Sequence, residues 1–184
     1  MSSTTQGTNR AGRDAYYTPD AVAVAIVRGL RLLRGTVVLE PSAGGGAFVR
    51  ALVEAGAIVT TIDIDPAAAG LGQGHAAAVC DFLRYRRRHS WIVGNPPFND
   101  AEAHVRHALS LADGGVAFLL RLAFLESTKR AALWREHPPA RVDVLSRRPS
   151  FTGGGTDSAA YAVFRWEAGH TGPPALGWLD WNAP

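Results

Sequence analysis

The chain has 184 residues, a formal net charge of +3 at neutral pH and a single cysteine. This length fits one domain with a sizeable core, and a hydrophobic content of 47% is typical of a globular protein. One cysteine excludes a disulfide framework and a cysteine-based zinc cluster, and no apolar run reaches the length of a membrane span. We expect a cytoplasmic protein with a flexible N-terminal arm over residues 1–15 and a charge that permits an anionic partner.

The first structural signal is the segment Tyr16–Asp20. Thr18 is a favourable N-cap, Pro19 suits the first position of a helix, and Asp20 places a negative charge at the positive end of the helix. Apolar residues then follow at helical spacing, so a helix is predicted from about Pro19 to Leu33.

A glycine-rich turn follows the next predicted strand, Thr36–Leu39, and leads into a helix. Glu40, Gly44 and Gly46 have the spacing acidic-x-x-x-Gly-x-Gly, which lets a ligand approach the backbone closely. Val49 stands where the dinucleotide fingerprint requires glycine. The turn therefore favours a ligand without a pyrophosphate, and S-adenosylmethionine is such a ligand.

Two carboxylates follow the second predicted strand, Ile58–Ile62. A carboxylate at this point of an α/β nucleotide-binding fold binds ribose hydroxyls. Asp63 is the candidate for that role, and Asp65 is predicted to cap the next helix. The alternative, in which both residues only cap the helix, stays open.

The third predicted strand, Ala77–Cys80, ends at another acid and ring. Asp81 can accept from a ligand amino group and Phe82 lies beside it, a pair that suits an adenine moiety. The arginine-rich segment 83–90 then leads back to the opposite edge of the sheet, so it is predicted to be a solvated surface.

The apolar strand Trp91–Val93 ends in a stiff loop. Pro96 and Pro97 have no N–H to donate to a ladder, and a residue that precedes proline is held extended. The loop presents the side-chain amide of Asn95, the carbonyl of Pro96 and the ring of Phe98. Two acceptors can bind an exocyclic amino group, while the ring can lie against a planar system.

Two helices and three strands are predicted in the rest of the chain, in the order Ala103–Ala112, Gly115–Leu120, Ser127–Trp134, Val142–Leu145 and Ala159–Trp166. His104 and His107 have a spacing that could bind a metal, but no third ligand is evident, so no metal site is predicted.

Together these motifs resemble the class I S-adenosylmethionine-dependent methyltransferases. Over residues 16–166 the chain is similar to phage and bacterial N6-adenine DNA methyltransferases with an Asn-Pro-Pro-Phe loop. The resemblance implies an α/β, Rossmann-like fold. Its sheet would be mostly parallel and seven-stranded, with an antiparallel final strand and helices on both faces. Residues 16–166 would form the catalytic domain and residues 167–184 a C-terminal tail.

The same resemblance implies two groups of site residues. The cofactor S-adenosyl-L-methionine would be bound by Tyr17, Thr18, Pro19, Glu40, Ser42, Gly44, Gly46, Asp63, Ile64, Asp81 and Phe82. The catalytic residues would be Asn95, Pro96, Pro97 and Phe98, with Phe98 where tyrosine is commoner. Catalysis would consist of positioning and electrostatics, without a covalent intermediate.

The loop after the sixth strand is the candidate substrate contact. If that strand is parallel to the others, Arg147 and Arg148 lie at the same edge as Asn95 and can hold phosphates. Phe151 could then stack on a flipped base opposite Phe98. The alternative is an ordinary surface hairpin.

The resemblance implies a nucleic-acid partner, DNA rather than RNA, with little intrinsic sequence specificity because the catalytic fold uses almost the whole chain. A separate specificity partner, and a monomer or weak dimer, fit this interpretation, with no membrane and no metal. Methylation of RNA adenine or protein glutamine, and a binding protein without activity, are the alternatives.

Overall fold

A computed structural model describes residues 17–70, 76–151 and 157–182. The predicted N-terminal arm, Tyr16 and the glycines at 153–155 lie outside the described residues.

Helices and strands alternate along the described part of the chain. The helices are α1 (Asp20–Leu30), α2 (Ala47–Glu54), α3 (Pro66–Ala69), α4 (Ala101–Leu111) and α5 (Ala131–Glu136). The strands are β1 (Val37–Glu40), β2 (Ile58–Asp63), β3 (Ala77–Val79), β4 (His89–Gly94), β5 (Ala112–Arg121), β6 (Arg141–Leu145), β7 (Tyr161–Glu167) and β8 (Ala175–Leu179). No helix among these residues is long and apolar enough to cross a bilayer.

All eight strands belong to one sheet with the order β3-β2-β1-β4-β5-β7-β6-β8. β7 is antiparallel to both of its neighbours, and every other pair is parallel. The mostly parallel α/β sheet is therefore as predicted, but it has eight strands rather than seven. The extra strand, β8, comes from the predicted tail and pairs in parallel with β6, so the boundary at residue 166 falls inside the sheet.

The core lies in two layers, one on each face of the sheet. Successive residues of a strand face opposite layers, so Val38 packs in the cluster under α1 and α2 while Leu39 packs in the cluster under α4 and α5. The central strand β5 is buried on both sides from Val116 to Leu120, as expected for a strand covered by helices on both faces.

Helix α1 is shorter than predicted at both ends. It ends at Leu30 because Arg31 takes a left-handed conformation, and Leu33 is 81% exposed rather than part of the buried face. Pro19 is the N-cap and not the first helical residue, and no side chain caps this end. The prediction that Thr18 caps the helix is wrong, since its hydroxyl contacts Asn95 instead.

The arginine-rich segment is solvated, as predicted. Arg84, Arg86, Arg87 and Arg88 are exposed, and Arg88 pairs with Asp113 at the start of β5. The segment lies at the end of the sheet where β4 begins. The parallel strands β1, β2, β4 and β5 end at the opposite edge, which therefore brings together Glu40, Asp63, Asn95 and Arg121.

A close approach between β1 and β4 fixes one residue type at this edge. A Cβ atom on Gly94 would overlap Oε1 of Glu40 and lie 3.0 Å from its carboxyl carbon. We therefore expect Gly94→Ala to lower the free energy of unfolding by about 1–3 kcal/mol, the usual cost of overpacking.

The matched control is Gly29→Ala, because a Cβ atom at this exposed position of α1 meets nothing within 4 Å. It should raise the free energy of unfolding by up to about 1 kcal/mol, the difference in helix propensity. Denaturant unfolding measures both, and equal midpoints for Gly94→Ala and the parent would contradict the close packing.

Candidate functional site

A cavity of about 520 Å³ opens at the carboxyl edge of β1, β2, β3 and β4. This volume is in the range of small-molecule sites. Eleven predicted site residues line it, namely Tyr17, Ser42, Gly44, Asp63, Ile64, Asp81, Phe82, Asn95, Pro96, Pro97 and Phe98. Thr18 and Glu40 line a small second cavity of about 20 Å³ that shares several residues with the first. Pro19 and Gly46 line neither cavity.

The glycine turn has the backbone that its sequence requires. Gly44 and Gly46 have φ angles of 50° and 78°, in the left-handed region that favours glycine. The ring of Tyr17 lies against the turn. It is so close that a Cβ atom added to Gly45 would be only 3.2 Å from Cδ1 of Tyr17. The turn thus presents backbone to the cavity on one side and carries an aromatic ring on another.

Asp63 ties the end of β2 to the glycine turn. Its Oδ2 accepts from the Gly44 N–H at 3.0 Å, and its Oδ1 accepts from the Asp65 N–H at 2.9 Å. Each carboxylate oxygen can accept more than one hydrogen bond, so these contacts leave capacity for hydroxyl donors in the cavity. Asp65 accepts from the Ala67 N–H at 2.9 Å and is the N-cap of α3, as predicted.

Glu40 is a buried acid beneath the same turn. The side chain is 1% exposed, and its Oε1 accepts from the Ser42 N–H at 3.0 Å. The pKa of Glu40 is raised to about 8, mainly because burial disfavours the charged form. The hydrogen bond from Ser42 acts in the opposite direction, and the charge of Asp63 adds to the effect of burial. At neutral pH Glu40 is therefore mainly a neutral carboxylic acid that supports the turn from below.

The end of the cavity near β3 combines an acid with two rings. Oδ1 of Asp81 accepts from the Leu83 N–H at 2.9 Å, which holds the carboxylate at the start of a short 3-10 turn. The Phe82 ring lies 5.4 Å from the His104 ring, measured between centroids. His104 also lines the cavity, although sequence reasoning considered it only as a metal ligand.

The Asn-Pro-Pro-Phe loop leaves the sheet directly after β4. Nδ2 of Asn95 donates to Oγ1 of Thr18 at 3.1 Å, a contact between residues 77 positions apart. This bond fixes the orientation of the Asn95 amide. Thr18 thus serves the loop rather than the start of α1.

The Phe98 ring is held by side chains that do not line the cavity. The guanidinium carbon of Arg121 lies 4.7 Å from the ring centroid, and the Tyr161 ring centroid lies 5.5 Å away. The Phe151 ring meets Phe98 edge-on at 6.2 Å and is 5% exposed. In this structure the ring is therefore part of the hydrophobic core, and stacking of Phe151 on a flipped base opposite Phe98 stays a prediction.

Arg121 belongs to a small polar network behind Phe98. The Tyr161 hydroxyl donates to Oδ2 of Asp157 at 2.8 Å, and burial raises the pKa of Tyr161 to about 12. Burial alone would raise the pKa of Asp157, but hydrogen bonds from Ala159 and Tyr161 and the charge of Arg121 bring it below its usual value. Sequence reasoning missed this role of Arg121, although its position at the end of β5 could have indicated it.

Arg147 and Arg148 follow β6, which runs in the same direction as β5 and so ends at the same edge. Both side chains are exposed and line neither cavity, and the Arg147 carbonyl accepts from Nε1 of Trp181 at 2.9 Å. A phosphate contact by this pair stays a prediction. Among the described residues, no group of three or more His, Cys, Asp or Glu side chains is placed to hold a metal ion.

No family model matches the sequence, and no curated protein sequence matches it significantly. Solved structures do share its fold. A suggested RNA methyltransferase from Pyrococcus horikoshii has a TM-score of 0.65 at 14% identity, with 80% of this chain and 83% of that chain covered. The 23S rRNA methyltransferase ErmE has a TM-score of 0.62 at 22% identity, with 87% and 72% covered.

A dimethyladenosine transferase from Plasmodium falciparum also has a TM-score of 0.62, at 13% identity, with 82% of this chain and 62% of that chain covered.

The raised pKa of Glu40 can be tested through the pH dependence of stability. The pKa of Glu40 is higher in the folded protein than in the unfolded chain, so protonation of Glu40 stabilises the folded state. The free energy of unfolding therefore falls as pH rises from about 4.5 to about 8. We expect Glu40→Gln to remove a slope of up to about 1.4 kcal/mol per pH unit in that window.

Denaturant unfolding between pH 5 and 8 measures this slope, and the difference between parent and variant isolates Glu40 from other titrating groups. Glu54→Gln, at an exposed position of α2, is the control and should keep the slope of the parent. Parallel pH profiles for Glu40→Gln and the parent would show that Glu40 is ionised in the folded state.

The chain therefore has the α/β, Rossmann-like fold of these methyltransferase structures, with a mostly parallel sheet and one antiparallel strand.

Proposed function

We propose that this protein transfers a methyl group from S-adenosyl-L-methionine to the exocyclic N6 of adenine, with DNA as the first expected substrate and little intrinsic sequence specificity. The observation that carries the proposal is that the glycine turn and the Asn95–Phe98 loop line one cavity of about 520 Å³.

The order of the strands supports the cofactor. Along the edge from β3 to β2, β1 and β4 the cavity offers Asp81, Asp63, the Gly44 turn and Asn95. These groups suit, in turn, an adenine amino group, ribose hydroxyls and an amino-acid moiety, and they bring the sulfonium end of the ligand to the Asn95 loop. When bound, the cofactor would supply an electrophilic methyl group.

The charge of the cavity supports the same ligand. Four aspartates line it, Asp63, Asp65, Asp81 and Asp100, and none of the described residues that line it is lysine or arginine. A pyrophosphate would be repelled by these carboxylates, whereas a sulfonium cation is attracted. This agrees with Val49 in place of the third glycine of the dinucleotide fingerprint.

Asn95 and Pro96 supply the acceptors for the target amino group. Since Nδ2 of Asn95 already donates to Thr18, its carbonyl oxygen is the amide atom suited to accept from the substrate. Together with the Pro96 carbonyl it can hold both N–H bonds of an aromatic amine and favour a pyramidal nitrogen whose lone pair points at the methyl group. This chemistry needs neither a nucleophile nor a metal ligand from the chain.

Phe98 supplies the stacking surface for the base. Arg121, Phe151 and Tyr161 contact the ring but do not line the cavity, so a base can approach the ring from the cavity side. A base in a duplex has to leave the stack to reach this depth. Stacking on an aromatic ring stabilises the flipped base by about 1–3 kcal/mol, which offsets part of the cost of leaving the duplex.

RNA adenine is the second candidate substrate. Two of the similar structures are an rRNA methyltransferase and a dimethyladenosine transferase, and the same acceptors and ring would serve an adenine in RNA. The two candidates differ in the polymer and not in the reacting group.

Methyl transfer from labelled S-adenosylmethionine to single-stranded DNA, duplex DNA, RNA and protein distinguishes them. We expect label in DNA, recovered as N6-methyl-2′-deoxyadenosine after digestion to nucleosides, at many sequence contexts. Label in RNA alone would replace the first candidate by the second. Label in neither polymer would overturn the proposal.

Asn95→Ala tests the acceptor directly. We expect a loss of methyl transfer of about 10²–10³-fold, comparable to removing one group that stabilises charge in a transition state. The affinity for S-adenosylhomocysteine, measured by calorimetry, should change little because the residue faces the target amino group. Turnover near that of the parent would remove Asn95 from catalysis.

Thr18→Val tests the orientation of the amide. Removing the hydroxyl should slow transfer by up to about tenfold, the equivalent of one hydrogen bond. Thr18→Ser keeps the hydroxyl and is the matched control, for which we expect a rate close to that of the parent. If Val and Ser at this position give the same rate, the contact between Thr18 and Asn95 does not position the amide.

A further inference from the structure

His104 is a cavity residue with no part in the proposed chemistry. It lies on α4, is 7% exposed, and its ring packs against Phe82 at the end of the cavity where Asp81 also lies. A nearly buried histidine at the wall of a ligand cavity can present one nitrogen to the ligand.

The hydrogen bond of Nδ1 determines what the other nitrogen can do. Nδ1 lies 3.0 Å from the carbonyl oxygen of Asp100, and a carbonyl can only accept, so Nδ1 carries the hydrogen. In the neutral ring Nε2 is then an acceptor. Within the part of the chain that the structure describes, no side chain or backbone group forms a hydrogen bond with Nε2.

The surroundings keep this ring neutral. Burial lowers the pKa of His104, and the nearby His107 lowers it further. The hydrogen bond to Asp100 and the charges of Asp100 and Asp81 act in the opposite direction but do not cancel the effect of burial. At neutral pH the wall therefore offers two acceptors at the end of the cavity that Phe82 lines, Nε2 of His104 and the carboxylate of Asp81.

We infer that Nε2 of His104 accepts a hydrogen bond from the exocyclic amino group of the cofactor's adenine and, with Asp81, selects adenine over a 6-oxo purine. The inference rests on the proposed function in taking S-adenosylmethionine as the ligand. An adenine amino group has two hydrogens for two acceptors. A 6-oxo purine presents an oxygen there, which both acceptors repel.

His107 provides the matched comparison. It lies one turn further along α4 and contacts the same Phe82 ring at 4.8 Å between centroids. Its Nε2 is 2.9 Å from the Tyr85 carbonyl, and it does not line the cavity. A change at His107 therefore disturbs the same helix and ring without altering the cavity wall.

The experiment compares two nucleosides that differ at position 6 of the purine. Calorimetry at pH 7.5 gives the Kd values of S-adenosylhomocysteine and S-inosylhomocysteine for the parent, His104→Phe, His104→Gln and His107→Gln. The parent should prefer the adenosyl compound. His104→Phe should weaken the adenosyl compound roughly three- to tenfold, the value of one neutral hydrogen bond, and reduce the ratio of the two Kd values.

General damage to the site would weaken both nucleosides equally and leave the ratio unchanged, so the ratio reports the contact itself. His104→Gln retains an acceptor and should restore part of the preference. His107→Gln should bind both nucleosides as the parent does.

A second measurement uses the titration of the ring. Protonation of His104 turns Nε2 into a donor that suits the 6-oxo group, so the preference of the parent for adenine should shrink as pH falls through the pKa of this ring, which burial holds below its usual value. His104→Phe should show no such change over the same pH range.

The outcomes separate this inference from the proposed function. If the parent binds S-adenosylhomocysteine and His104→Phe keeps the same ratio of Kd values, the inference is wrong and the proposed cofactor stands. If the parent binds neither nucleoside, both the cofactor and the role of His104 are overturned.

Discussion

The burial of the Glu40 carboxyl group against Gly94 is the contact on which the rest of the site depends. Glu40 ends β1 and accepts from the Ser42 N–H of the glycine turn, while Gly94 ends β4 and leads directly into Asn95. One side chain therefore holds the turn and the Asn-Pro-Pro-Phe loop at a fixed separation. A charged carboxylate at this depth would have a large desolvation cost. Because the pKa of Glu40 is raised, the carboxyl group is mainly neutral at neutral pH and does not incur this cost.

The position of this contact explains why the cavity forms where it does. β1 has β2 on one side and β4 on the other, so the chain changes direction across the sheet at this point, and the loops at the carboxyl edge separate. Asp63 closes the β2 side by accepting from the Gly44 N–H, and the bond from Asn95 to Thr18 closes the β4 side. The walls of the cavity are thus tied to the sheet by side-chain contacts as well as by the strands.

The sequence predicted those features that local chemistry decides. Glycines with left-handed φ, two prolines after a strand and carboxylates at strand ends each act over a few residues, and the structure shows the expected turn, loop exit and cap. The partners of these groups depend on packing between distant segments. The hydroxyl of Thr18 contacts Asn95 rather than the helix, Phe151 enters the core, and residues 175–179 add a strand, because tertiary contacts outweigh local preference at each place.

The distribution of charge divides the protein into two regions with opposite preferences. The chain has a net charge of +3 and exposed arginines at 147 and 148 at the carboxyl edge of the parallel strands, whereas four aspartates line the cavity. Arg121, whose guanidinium group lies over the Phe98 ring, interacts with the charge of Asp157. A polyanion is therefore attracted to the rim but its phosphates are repelled from the interior. For the proposed transfer to a flipped base, an uncharged base would enter the cavity while the phosphates stay outside.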